Sequence, residues 1–446
     1  MLNFAKEKIM KTDILALNTH SYLSRDTEAF LPVFNYLRLH GINIKHGPIY
    51  NGYYLILKHR PSVVFLDCII GGRWHAEMAL FAKKMGCKVV SLIGEGASFD
   101  WAKQNPKLMW GWLHEQKVIW DAFFFWNQPT KDLFTSYFPS ANKKIYTVGA
   151  TGYDRYKFAH PKQLPRSGEY SATVGVGCWV FSLPANDSWV NINRQFFSEN
   201  LQKIVQKNRN ILFYIKLHPG ANDDLFLSGV EKCRFEKNVV ILPAKTPIID
   251  CIASSDIWLT FESNTALEAW LMKKQTALLN PAGIQFPYER LPFSKGQPNF
   301  SNADQWTEAL QTFLRTRILP GYYELEKIRQ HCTTQIIGHA DGLNHVRTGN
   351  VILDILNAPD KTIIDSPRFS WFKNTINSYL RWNFGKYHKL LPKCFSWTSA
   401  FENFYFDHRK NYSEVEFNQN ACLRMQEQMM FYKQNNYSLK FLRAVY

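Results

Sequence analysis

Between Asp13 and about Gly152, short and almost wholly apolar runs alternate with amphipathic stretches of helical period, and this alternation constrains the fold more than any other feature. The runs are DILALN, SVVFLDCII, KVVSLIGEG, AFFFWN and KIYTVGATGYD, separated by stretches such as Thr27 to His40 and one reaching Met85. A strand exposed on one face would alternate apolar with polar residues, so apolar runs point to parallel strands covered on both faces by helices. A second block repeats the scheme: SATVGVGCWVF, a helix around Val190 to Gln206, NILFYIKLHPG, NVVILP, a helix at Pro247 to Ala253, DIWLTFES, a helix at Thr265 to Lys273, and QTALLNP. The expected fold class is α/β, with two Rossmann-like doubly wound domains facing one cleft.

The polar stretch HPKQLPRSGEY, with two prolines, separates the blocks. Residues 1–156 are therefore expected to form an N-terminal, acceptor-binding domain, and 171–340 a C-terminal domain binding a nucleotide donor. Segments 303–316, 320–337 and 344–357 read as helices, and the last, within 341–360, could cross back to the first domain. No fixed-period repeat is visible, which excludes a solenoid or propeller. The eight cysteines are scattered without a C-x-x-C pair, so they read as reduced core thiols and not as a zinc ribbon or disulfide scaffold.

Lys plus Arg number 53 against 37 Asp plus Glu, a formal charge of +16 that favours anionic partners: nucleotides, phospholipid head groups or nucleic acid. Residues 361–446 concentrate this character, with 13 Lys plus Arg, 6 Asp plus Glu and 20 aromatics. Such a helical, basic, aromatic C-terminal extension suits an anionic bilayer surface, where each nearby cation adds about 1 kcal/mol. It equally suits a helical cap packed on the core. No nucleic-acid motif accompanies it, so nucleic acid is not the expected partner. Charged residues interrupt the N-terminal apolar stretch, and no window supplies the ~20 apolar residues of a membrane span. The expected location is the cytosol, with peripheral contact to the inner face of the plasma membrane as an option.

In open α/β sheets ligands bind beyond the carboxyl ends of strands, so residues just after each apolar run carry the candidates. The run IKLHPGAND ends in Lys216, His218, Pro219 and Gly220. Strand alternation would put Lys216 and His218 on one face, where a cation, an imidazole and Gly-freed amides can hold a phosphate. A buried structural histidine is the alternative. In DIWLTFESNTALEAW, Ser263, Asn264 and Thr265 can cap a helix whose amides face an anion. Glu268 would accept from a ribose hydroxyl or simply cap the helix. Glu95, between two glycines in SLIGEG, is placed to be a base or nucleophile, or is a solvent-facing loop residue. Strand-end position alone recommends Asp187 and Ser188 in the second block, and His20, Ser21, Arg73 and His75 on the acceptor side.

Several chemistries have no motif here: G-x-x-x-x-G-K-[ST], G-x-S-x-G and H-E-x-x-H are missing, and GVGCWV is not G-x-G-x-x-G. No Asp-x-Asp clamp occurs either, so no metal and no resident cofactor is expected.

KLHPG, TFESNTALEA and GHADGLNHVRTGNVIL together resemble two-domain GT-B glycosyltransferases of bacterial surface-polysaccharide assembly, the surface carbohydrate biosynthesis proteins. More remotely the order of motifs is similar to transferases of CMP-activated acidic sugars, the sialyltransferase-like enzymes and the retaining β-Kdo transferases of capsule and O-antigen synthesis. That resemblance implies a CMP-linked donor, a glycan or lipid-linked glycan acceptor and a catalytic carboxylate at Glu95, with Gly94 standing where the family has a first acid. It further implies phosphate contact from His218 and Pro219, hydroxyl contact from Ser263 to Thr265, nucleotide contact from Glu268, and an Asp-x-Ser turn at Asp187 and Ser188. The same features resemble CDP-glycerol glycerophosphotransferases, whose second histidine could only be His20 or His75. A non-catalytic nucleotide- or glycan-binding protein is the third reading.

Overall fold

The computed structural model describes residues 12–18, 25–67, 73–94, 119–166, 169–179, 188–221, 223–261, 263–279, 292–359, 369–384 and 414–445. The chain divides into two units, residues 1–158 with 341–446, and residues 159–340.

In the first unit six strands form one parallel sheet: β1 (Ile14–Asn18), β2 (Ile44–Pro48), β3 (Val63–Leu66), β4 (Lys88–Leu92), β5 (Ala122–Phe125) and β6 (Ile145–Thr147), in the order β2-β1-β3-β4-β5-β6. Alternate residues feed opposite cores. Leu15, Leu17, Val64, Leu66 and Phe123 pack with Tyr53, Met78 and Phe81 from helices α2 (Gly52–His59) and α3 (Arg73–Lys84). Ile14, Ala16, Val63, Phe65 and Phe124 pack with Phe30, Phe34 and Ile352 from the helices Arg25–Leu39 and Asn344–Asn357. Two buried faces explain why these strands are apolar throughout.

The second unit repeats the plan with β7 (Ala172–Gly177), β8 (Ile211–Lys216), β9 (Val239–Leu242), β10 (Ile257–Thr260), β11 (Gln275–Leu279) and β12 (Asn299–Phe300), all parallel, in the order β12-β11-β10-β7-β8-β9. Val174, Val176, Phe213, Ile215 and Leu259 pack beneath the helices Ser188–Lys207 and Ala303–Thr316. Leu212, Tyr214 and Trp258 pack on the other face with Cys251 and Ala269, from the helices Ile248–Ala253 and Thr265–Leu271. Both sheets are doubly wound, as the sequence periodicity predicts.

The C-terminal extension takes, in its described part, the second of the two arrangements its sequence suits, a helical cap on the core. Its described part completes the first unit: Trp371 joins one core, and Phe431, Tyr432 and Leu442 join the other. Buried hydrogen bonds fix it there. Tyr36 Oη donates to Asn350 Oδ1 at 2.6 Å, while Asn350 Nδ2 donates to the carbonyls of Leu442 and Val445 at 3.0 and 2.7 Å. Phe431 and Tyr432 are core residues here, because helix Glu414–Gln434 packs on helix Arg25–Leu39, its Gln428 Nε2 donating to the Pro32 carbonyl at 3.2 Å.

Candidate functional site

Strand order brings the second unit's sequence candidates to one edge. β7 lies between β8 and β10, and its last residue, Gly177, is in register with Lys216 on one side and Thr260 on the other. The chain leaves β7 toward β8 but returns to β10 on the other flank. This is the switch point of a doubly wound sheet, where ligands bind past the strand ends. Immediately beyond lie the KLHPG turn from β8 and the Ser263–Thr265 turn from β10.

An indole sets the position of the second turn. A Cβ on Gly175 would stand 2.4 Å from Trp258 Cε3, and one on Gly177 3.0 Å from Trp258 Cζ2 and 3.2 Å from Thr265 Oγ1. The two glycines of GVG therefore clear a path for Trp258, whose Nε1 donates to Thr265 Oγ1 at 3.0 Å. Thr265 Oγ1 in turn donates to Ser263 Oγ at 3.1 Å, and the Thr265 amide donates to the same oxygen at 3.3 Å. This corrects one expectation. The helix that begins at Thr265 has only seven residues, and Ser263 caps its first amide, so the hydroxyl pair and not a row of open amides forms the polar surface here.

Lys216 requires a second correction. Its ammonium is 5 % exposed and donates to the carbonyls of Leu217 at 2.6 Å and Ala244 at 2.7 Å, tying the turn after β8 to the turn after β9. Burial lowers its pKa, while Asp223 and Glu268 favour its charge. The strand ends at Lys216, so alternation stops before it can place His218 on the same face. Ile215 and Leu217 do share one core, as alternation requires. His218 is half-buried, Pro219 is exposed, and both start the single turn Pro219–Ala221 that holds Gly220. Ser263, Asn264, Thr265 and Glu268 are all half-buried. Burial pushes the thiols of Cys178 and Cys251 far up, so neither is a thiolate at neutral pH.

In the first unit the corresponding edge lies between β1 and β3, where the strand order reverses. Asp67 follows β3 and is 2 % exposed; its Oδ1 is 3.2 Å from Nε2 of His75, itself in the first turn of α3 and 7 % exposed. Asn18, the last residue of β1, is buried with an Oδ1 that has no hydrogen-bond partner. Sequence reading singled out His75 but missed Asp67 and Asn18, although each is the polar residue closing an apolar run. It missed Trp258 as well, because an aromatic within a strand gives no sign of reaching past the strand end.

Glu95, Asp187, His20 and Ser21 lie outside the described residues. Arg73 and Ser188 begin the helices Arg73–Lys84 and Ser188–Lys207, and their side chains also lie outside the description. Among the described residues no three His, Cys, Asp or Glu side chains cluster as a metal site.

No protein-family model matches the chain, and no curated protein does. Solved structures do. MnaA of S. aureus, in a co-structure with UDP, superposes with a TM-score of 0.54 over 80% of this chain and 99% of its own, at 12% identity. A UDP-GlcNAc 2-epimerase from Neisseria meningitidis bound to UDP-GlcNAc gives 0.50 over 77% and 99%, at 14% identity. The wall teichoic acid polymerase TagF gives 0.52 over 80% and 92%, at 10% identity. Its two parallel, helix-flanked six-stranded sheets and this likeness to solved structures give the chain a two-domain GT-B-like fold.

Proposed function

We propose that the chain is a nucleotide-sugar-dependent glycosyltransferase of bacterial surface-glycan assembly, with its second unit holding the donor. The supporting observation is the register of Gly177 with Lys216 and Thr260, which sets the His218 turn and the Ser263–Thr265 turn on adjacent strand ends. His218 and the Ser263 hydroxyl donate to the departing phosphate, and Trp258, through Thr265, fixes that hydroxyl before donor arrives. Fold likeness to UDP- and UDP-GlcNAc-bound enzymes supports a nucleotide-sugar cosubstrate. The CMP-linked acidic sugar, Kdo or a sialic-acid-like residue, rests on the motif resemblance.

On the acceptor side the glycan hydroxyl attacks the anomeric carbon as the bond to the phosphate oxygen breaks. Glu95 takes the hydroxyl proton if configuration inverts, or first forms a glycosyl ester if it is retained. Asp67 and His75 form a buried pair on the acceptor unit's own strand edge, where an oriented imidazole binds a hydroxyl. Likeness to TagF favours a second reading, glycerophosphoryl transfer from a CDP-linked donor, with His75 as base.

A thermal-shift series over CMP, CDP, UDP, GDP and dTDP tests the donor assignment, since a ligand at 100 times its Kd stabilises the folded state by about 2.7 kcal/mol. A CMP-selective shift supports the acidic-sugar donor, a CDP-selective shift the glycerol reading, and a UDP-selective shift replaces CMP with UDP. Absence of any shift overturns donor binding by the second unit. Nucleotide release with donor and acceptor, lost in Glu95→Gln, separates a transferase from a binding protein.

A further inference from the structure

The helix Phe369–Phe384 turns one stripe inward and a different one outward. Inward, Trp371 is buried, its ring edge-on to Phe81 at 5.6 Å and its Nε1 donating to Glu77 at 3.3 Å. Buried Ser378 accepts from the Tyr54 amide at 3.1 Å, and the Lys58 ammonium stands 5.7 Å from the Trp382 ring. These contacts bolt the helix to α2 and α3 of the first unit and fix which side faces out.

Outward, Phe372, Ile376 and Tyr379 follow the i, i+4, i+7 spacing of one helical face and are 68, 37 and 45 % exposed. Leu57, on the neighbouring helix α2, is 41 % exposed as well. A buried stripe already anchors the helix; of the outward residues Tyr379 also meets Tyr54 edge-on, ring centroids 5.3 Å apart, which leaves Phe372 and Ile376 as the apolar part of this face. Its charge is one-sided: Lys373 and Arg381 are the helix's ionisable residues, with no Asp or Glu in Phe369–Phe384. Lys58 and Arg60, on and just after α2, are exposed, and Lys45 and Lys58 both bear electrostatically on His59.

We propose that this face, Phe372 and Ile376 with Lys373 on the same helix and Lys58 beside its Trp382 end, rests on an anionic lipid bilayer. Rings and aliphatic side chains enter at head-group depth while the cations meet acidic head groups. A protein partner would need an acidic rim to match, whereas a bilayer supplies negative charge without fixed geometry. No helix among the described residues is long and apolar enough to cross a membrane, so the helix lies in the surface plane. The inference goes beyond the transferase reading: it assigns a surface, and it holds for any activity of the first unit.

Co-sedimentation of the full chain with vesicles tests it, in the absence of nucleotide, so that failure here and failure of donor binding are read separately. Wild type should partition onto phosphatidylglycerol–phosphatidylcholine vesicles at least about tenfold better than onto phosphatidylcholine alone, and lose that preference in high salt. The double variant Phe372→Ser, Ile376→Ser should bind the anionic vesicles about tenfold more weakly with an unchanged urea midpoint, and Lys58→Glu with Lys373→Glu should remove the lipid preference. No wild-type binding to anionic vesicles, or full binding by the folded Ser variant, overturns the proposal. So does a wild-type dimer that the Ser variant converts to a monomer, which would make the face a contact between copies.

Discussion

Nδ1 of His345 lies 2.8 Å from Oδ2 of Asp154, with neither side chain exposed by more than 1 %. The same carboxylate oxygen accepts the His345 amide at 2.7 Å, and Nε2 of His345 reaches Tyr432 Oη at 2.5 Å. Three segments far apart in sequence, 151–157, 344–357 and 414–434, thus meet in one buried polar chain. Replacing His345 with Leu strands the Asp154 carboxylate, at a cost of about 3 kcal/mol. Urea unfolding should show the first unit's midpoint falling accordingly, and a loss under about 1 kcal/mol would show that the chain is not stabilising.

Acid should weaken the first unit partly through Glu28. Burial pushes its carboxyl upward, but Arg155 at 2.9 Å and Arg424 at 3.3 Å outweigh burial and hold it below its ordinary value of 4.5. A carboxylate depressed in the folded state contributes stability in full above its unfolded value, and that contribution is lost as pH falls through the folded one. Glu28→Gln should therefore cost on the order of 1–3 kcal/mol at neutral pH, and the gap from wild type should narrow as pH falls below 4.5. Urea midpoints measured across that range check the sign.

Lys216 and His218, two residues apart, should respond oppositely. Lys216→Met leaves the buried Leu217 carbonyl and the half-buried Ala244 carbonyl without their donor and should cost about 1–3 kcal/mol in stability, while the folded fraction still binds nucleotide. His218→Ala should leave the urea midpoint in place and weaken nucleotide binding about tenfold or more, the scale of a hydrogen bond to a charged group. Calorimetric titration with the nucleotide that gives the thermal shift distinguishes them; unchanged affinity in His218→Ala would remove the imidazole from the donor site.

Gly175 and Gly177 make a graded test of the Trp258 path. An added Cβ at 175 meets Ser255 Oγ at 2.3 Å and the indole at 2.4 Å, so Gly175→Ala should destabilise the second unit by about 1–3 kcal/mol through overpacking. At 177 the contacts are 3.0 and 3.2 Å, and the nearest polar atom is the Thr265 hydroxyl. Gly177→Ala should therefore cost less stability but reduce nucleotide affinity by displacing that hydroxyl. Equal affinity in the two variants would detach the indole from the site.

The two parallel sheets were legible in the sequence, because a strand buried on both faces must be apolar at every position and its neighbours must be helices. The positions of His218 and of Ser263 to Thr265 at strand ends were legible for the same reason, since each closes an apolar run. Strand order was not, and it alone decides that Gly177 stands between Lys216 and Thr260. What a side chain touches was equally out of reach. The Lys216 ammonium reads as a phosphate ligand until Ala244, 28 positions later, is found accepting its proton. The aromatics after Lys361 suit a membrane surface and a core-packed cap alike until Phe431 and Tyr432 are seen closing a core built from residues nearly four hundred positions earlier. Periodicity is a local property and fixes elements; partnership depends on contacts between remote segments, which only the folded chain brings together.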